Sequence, residues 1–137
     1  MSIYDKDNRP YGNIDYYWDS EENYWKMEDI HILAGKGFRK KGLGKILLKA
    51  FCQEIGSNQL IHAVVVHKDT LSVLKEKYSN MMLPGESLFI TGEDLKNVPF
   101  AKFLESGGIK VDRISFVKNR QIGKYYSHGV RLWGITR

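Results

Sequence analysis

Phe38-Arg39-Lys40-Lys41-Gly42-Leu43-Gly44-Lys45-Ile46-Leu47-Leu48 is the stretch on which the reading of this chain turns. It follows a strand-like run over 24–33 and opens an amphipathic helix. Two glycines one residue apart let the backbone pass close to a ligand with no Cβ in the way. A helix start offers amide groups without intrahelical acceptors and the positive end of the helix dipole. Arg39, Lys40 and Lys41 add charge at the same place. The combination predicts a site for a phosphate or pyrophosphate.

The ligand can be narrowed from the spacing. A nucleotide P-loop needs Gly-x-x-x-x-Gly-Lys-Ser/Thr. Gly37 and Gly42 have that glycine spacing, but Leu43 stands where the lysine belongs. A dinucleotide fingerprint needs Gly-x-Gly-x-x-Gly. Lys40 occupies its third position when read from Gly35, and Leu47 when read from Gly42. What remains is Arg-x-x-Gly-x-Gly over 39–44, between a strand and the next helix. In this the chain resembles the GCN5-related N-acetyltransferase (GNAT) superfamily, as a small member with a truncated N-terminal part. The resemblance implies that acetyl-CoA is the co-substrate. It implies coenzyme binding by Leu33, Ala34, Arg39, Lys40, Lys41, Gly42, Leu43, Gly44 and Lys45, with loop amides on the pyrophosphate.

Hydrophobic periodicity carries the rest of the fold. Short strands are predicted over 2–4 and 12–18, with a polar hairpin loop at 19–23 leading into 24–33. Leu43, Ile46, Leu47, Ala50, Phe51 and Ile55 recur at helical spacing, so 42–55 is a helix with one buried face. A Val-rich run over 60–67 fits a strand covered on both faces, as in a parallel pair. Strand, helix and strand thus form one right-handed βαβ unit. A helix over 70–78 follows, capped by Asp69 or Thr70. The segment 79–93 reads as irregular, and a further helix runs to Glu105. Strands over 109–117 and 129–136 are joined by a basic, polar loop over 118–128. The fold class expected is α+β, an α/β mixed sheet that is mostly antiparallel with one parallel βαβ unit, in a single domain over 1–137. That is the GNAT-like acyl-CoA acyltransferase arrangement the resemblance implies.

Composition limits the function classes. The chain has 137 residues, 42% hydrophobic and 27% charged, which suits one soluble globular domain. The lone Cys52 excludes an internal disulfide and points to a reducing cytoplasm. No apolar run approaches membrane-spanning length, and no signal-peptide core is present, so no membrane partner is expected. The net charge of +5 is uneven: acidic side chains dominate before His31 and basic ones after it. The basic part suits coenzyme phosphates and the acidic part a cationic acceptor. A nucleic-acid-binding module is the second alternative. It is disfavoured because the bases do not cluster with interleaved aromatics on any one element.

For catalysis, the resemblance places a general base on the strand before the coenzyme loop, at Glu28. The chemistry asks for one: an ammonium must lose a proton before it attacks a thioester, and a carboxylate in an apolar wall can take it directly or through water. Strand alternation sets Asp29 on the opposite face. The resemblance also implies that the backbone N–H near Ile32 stabilises the tetrahedral oxyanion. The family's second motif is Asn-x-x-Ala-x-x-Leu-Tyr-Glu-x-x-Gly-Phe, read here over 97–109. Asn97, Glu105 and Gly108 match, and Asn97 joins the coenzyme-binding set. Phe100 and Ile109 depart from the pattern. Leu104 replaces the tyrosine that commonly protonates the coenzyme thiolate. That departure makes a catalytically inactive acyl-CoA-binding regulator, acting by contact, the first alternative to an enzyme. His62 and His67 fall on opposite faces of one strand, no Cys/His spacing suits zinc, and no nucleophile elbow occurs; no metal is expected. The family's usual front strand and two helices are not expected in the short stretch before the hairpin. The hairpin aromatics Tyr16, Tyr17, Trp18, Tyr24 and Trp25 and the segment 79–93 are therefore the candidates for the acceptor pocket. About half of those aromatics should be core. The expected acceptor is an amine, a protein lysine.

Overall fold

In a computed structural model the described residues are 1–4, 10–32, 42–64, 68–122 and 125–137. They form a seven-stranded mixed sheet with three helices, an α+β arrangement. The strands are β1 (Ser2–Tyr4), β2 (Pro10–Asp19), β3 (Tyr24–Ile32), β4 (Leu60–Val64), β5 (Ser87–Ile90), β6 (Ile109–Ile122) and β7 (Tyr125–Thr136). Their order across the sheet is β1-β2-β3-β4-β7-β6-β5. β3 and β4 pair in parallel, Trp25–Ile61, Lys26–His62 and Met27–Ala63. Every other pairing is antiparallel. Helix α1 (Leu43–Ile55) links the parallel pair, as the strand–helix–strand reading expected.

The hairpin between β2 and β3 closes by local chemistry. The Asp19 carboxylate accepts the amides of Glu21 and Glu22, and Asn23 takes φ 60, a left-handed conformation that asparagine tolerates. Lys26 bridges Asp19 at 3.2 Å and Glu22 at 3.5 Å.

All three helices share one core with one face of the sheet. Leu47, Leu48 and Phe51 of α1, Leu74 and Tyr78 of α2 (Lys68–Tyr78), and Ala101 and Leu104 of α3 (Pro99–Ser106) pack with Ile14, Met27, Ile61, Ile114 and Leu132. The Tyr16 ring meets Phe51 edge-on at 4.9 Å. Gly107, just past α3, lies so close to Leu48 that a Cβ there would sit 2.5 Å from the Leu48 Cβ. This contact is why the buried stripe of α1 differs from expectation. Leu48 is fully buried while Ile46 is 47% exposed, because α1 packs on α3 as well as on the sheet.

Two connections are more regular than expected. The region 118–128 is not a free loop: β6 continues to Ile122 and β7 begins at Tyr125, with Lys118 opposite His128 and Gln121 opposite Tyr126. Cross-strand bonds satisfy the backbone of a stretch whose side chains are polar, so composition misleads there. The segment 79–93 contains a 3-10 turn (Ser79–Met81) and the edge strand β5, and then enters a second turn (Gly92–Asn97). Lys118 holds the first turn by donating from Nζ to the carbonyls of Ser79 and Met82 at 2.8 and 3.1 Å. Thr70 does not cap α2; inside a helix that already begins at Lys68, its hydroxyl accepts the Phe100 amide at 2.9 Å. The described part of the Val-rich strand ends at Val64, and 65–67 lie outside the described residues. No described helix is long and apolar enough to cross a membrane.

Candidate coenzyme site

Of the expected coenzyme residues, Leu33, Ala34, Arg39, Lys40 and Lys41 lie outside the described residues. Gly42, Leu43, Gly44 and Lys45 are described, and they form the start of α1. Gly42 is the N-cap with φ 66 and ψ 26, a left-handed conformation that favours glycine. Among the described residues, a Cβ there would meet nothing within 4 Å. The first intrahelical bond runs from the Ile46 amide to the Gly42 carbonyl at 3.1 Å. The amides of Leu43, Gly44 and Lys45 therefore have no acceptor within the helix. Among the described residues no side chain caps this end, and no acidic residue lies in the first turn.

The charges on α1 run against its dipole. Lys45 is exposed in the first turn, and no basic residue lies in the last turn, where Glu54 stands. Each such placement is unfavourable by roughly 0.3–1 kcal/mol at an exposed helix end. An anion held by the three amides and Lys45 would offset that cost. Arg-x-x-Gly-x-Gly thus ends at a helix terminus with the chemistry of an anion site.

Glu28 lies midway along β3, and its position is unusual. Asp15 of β2 stands opposite Asp29, whereas Tyr16 stands opposite Met27. Glu28 is the extra residue of a β-bulge. Such a bulge bends its strand and re-aims a side chain. It also shifts the alternation by one, so that Trp25, Met27 and Ile30 are opposite Trp18, Tyr16 and Ile14 in turn. Glu28 is exposed, not set in an apolar wall as expected. The carboxylate is accordingly open to water and to an incoming amine. Ile32 ends β3 opposite Gly12. Four residues of extended chain, about 13 Å, separate it from Glu28.

The second motif supplies structure. Glu105 accepts the Val111 amide at 3.0 Å and pairs with Arg137 at 3.0 Å. Gly108 has φ 104. Leu104 is fully buried in the core, so its position faces away from solvent and from any leaving thiolate there. Asn97 is exposed at the end of the turn that precedes α3, while Gly107, at the far end of α3, is the one packed on α1.

The hairpin aromatics divide as expected. Tyr16 and Trp25 pack on the core, while Tyr17 and Trp18 are 44% and 45% exposed. The acidic hairpin tip is less available than its composition suggests, since Asp19 and Glu22 are engaged by Lys26 and by turn amides. The tip also lies at the opposite end of β3 from the 33–41 connection. The half-buried Cys52 has its thiol pushed up by burial, as befits an inert boundary residue. Among the described residues no cluster of His, Cys, Asp and Glu could hold a metal ion. The bulge at Glu28 has no signature in the sequence, because it depends on strand register against β2.

No protein-family model matches this chain, and no curated protein or solved structure matches it either.

Proposed function

We propose that this protein is an N-acetyltransferase that moves the acetyl group of acetyl-CoA onto an amine, a lysine side chain of a protein acceptor. The observation that carries the reading is the start of α1. Three amides without helical acceptors, a glycine N-cap in the left-handed conformation and an exposed lysine meet where the Arg-x-x-Gly-x-Gly motif ends. In this reading the amides of Leu43, Gly44 and Lys45 hold the coenzyme pyrophosphate. Glu28 takes a proton from the acceptor ammonium through water, which its exposure permits. The free amine attacks the thioester carbonyl, an amide near Ile32 stabilises the oxyanion, the attacking nitrogen gives up its second proton to water, and the C–S bond breaks as the intermediate collapses to the amide and the coenzyme thiolate. The departing thiolate, with a thiol pKa near about 8.5, is a competent leaving group without a dedicated acid. The buried Leu104 therefore does not disable the reaction.

The test is calorimetric. Acetyl-CoA should bind the wild-type protein, and Gly44→Glu should abolish binding by placing bulk and negative charge where the phosphates approach. Absence of binding to the wild-type protein overturns the reading. Equal affinity in a folded Gly44→Glu variant overturns the assignment to this loop.

A further inference from the structure

Residues directly opposite one another in a sheet share a face. On the face away from the helices, the register sets Tyr17, Lys26, His62, Trp133 and Arg113 in one row across β2, β3, β4, β7 and β6. Two residues further along β7, Arg131 stands opposite Ser115, which stands opposite Phe89 of β5. Aromatic and cationic side chains from six strands thus interleave on one surface.

The row is built as a packed comb. The His62 ring stacks on Trp133 with centroids 4.9 Å apart and planes 8° apart. On the neighbouring strand, the Arg113 guanidinium lies 4.6 Å from the Trp133 ring centre and 6.0 Å from that of Phe89. Tyr24 meets His62 edge-on at 6.4 Å. The inner rings are held by their neighbours, whereas the rings at the two ends are open. Tyr17 is 44% exposed and Phe89 is 59% exposed. Five strand spacings, about 24 Å, separate their strands. Arg131 and Lys110 are exposed on the same face.

One further feature marks the surface. His62 is only 3% exposed, yet neither ring nitrogen makes a hydrogen bond among the described residues. The Glu22 carboxylate stands 3.8 Å from Nδ1, beyond hydrogen-bond reach, and a buried polar group without a hydrogen bond costs about 1–3 kcal/mol. Native sheets seldom keep such a group in the middle of a face that is purely structural.

We propose that this sheet face binds single-stranded nucleic acid, independently of the coenzyme reading. A single strand combines what the surface offers to meet: phosphates for Arg131 and Lys110 and for Arg113, which also pairs through Nη1 with Asp112 at 2.8 Å, and uncovered base faces for Tyr17 and Phe89. A duplex hides its base faces, and an acidic peptide has none. The strand crosses the sheet from β2 to β5, its bases on the two end rings and its phosphates along the arginines between them.

The probe is a dye-labelled 12-nucleotide oligothymidylate, followed by fluorescence anisotropy. Saturable binding is expected at 50 mM KCl. With three phosphates engaged, it should weaken roughly 20-fold at 200 mM. The Tyr17→Ala/Phe89→Ala double variant should bind about tenfold or more weakly, since each stacked base is lost with its ring. Arg131→Glu should weaken binding in parallel. Both changes are at exposed side chains, and thermal melts check that the fold is kept. Gly44→Glu should bind the oligonucleotide as the wild type does, which separates this site from the coenzyme site. Absence of saturable binding at 50 mM KCl overturns the proposal, as does wild-type affinity in the double variant. Equal competition by a duplex of the same length would mean that charge alone is read, and equal competition by polyglutamate that the face takes acidic peptides; either result also overturns it.

Discussion

Gly107 and Gly108 are adjacent, and each is required for a different reason. A Cβ on Gly107 would sit 2.5 Å from the Leu48 Cβ and 2.7 Å from its Cδ1. Gly107→Ala should therefore cost about 1–3 kcal/mol, as overpacking does in a closed core. Gly108 has open space around its Cβ position but φ 104. Gly108→Ala should cost about 1 kcal/mol or more through backbone strain alone. Urea denaturation of both variants checks the two magnitudes. The sequence marked both residues as a helix stop but could not tell them apart. His62 raises a question of pH. Burial, then the charges of Lys26 and Arg131, hold its pKa below 6.5. The folded state thus keeps His62 neutral at pH values where the unfolded chain already binds a proton. Its contribution to stability is complete above about pH 6.5 and is lost as pH falls through that value toward the folded pKa. The loss is at most about 1.4 kcal/mol per pH unit. His62→Phe should remove this dependence while preserving the stack on Trp133. A denaturation midpoint that falls between pH 7 and 5 as steeply in the variant as in the wild type would refute that origin.

Among the elements, α1 shows how far periodicity reaches. Its extent was legible, because Gly42 and Gly56 bracket an apolar pattern between them. Its buried stripe was not, because Leu48 faces α3, which follows some fifty residues later in sequence. The left-handed Gly42 is what lets the helix begin where it does. Gly42→Ala should lower stability by about 1 kcal/mol without a steric clash, measured by thermal melts in the absence of coenzyme. The β6–β7 hairpin shows the opposite failure. Its distal part is rich in polar residues and shows no clean alternation that would distinguish it from a loop, and cross-strand pairing makes it a strand. The bulge at Glu28 is equally silent in sequence: the chain reads as continuous strand, and one extra residue is visible only against the register of β2.

For the whole molecule, the arrangement along β3 bears on the acceptor. The hairpin tip, where Trp18 and Glu21 are exposed, lies at one end of the strand; in the proposed reading the coenzyme connection follows the other end, with Glu28 between. Nine residues of strand span about 30 Å. A small amine cannot touch both ends, whereas a protein segment can. An acetyl-transfer screen should accordingly find turnover with protein lysines, and turnover confined to small amines would contradict this. On the true acceptor, Glu28→Gln should reduce kcat about 10²-fold or more while coenzyme affinity holds. A rate within a few-fold of wild type, at a pH where the amine is still protonated, would remove Glu28 from the mechanism.

The sequence by itself determined the strand–helix–strand unit and the glycine-rich entry to α1. These are local features: they follow from backbone freedom, helical spacing and strand alternation within a few neighbouring residues. Only the tertiary structure decided the rest. Leu104 proved to be core, not a residue at the site. Asp19 and Glu22 proved to be tied to Lys26, not free for an acceptor. Aromatic and basic side chains that never cluster along the chain meet in one row, because β4 pairs with β7 and β7 with β6. Strand order and register join residues tens of positions apart, and no local pattern encodes that pairing.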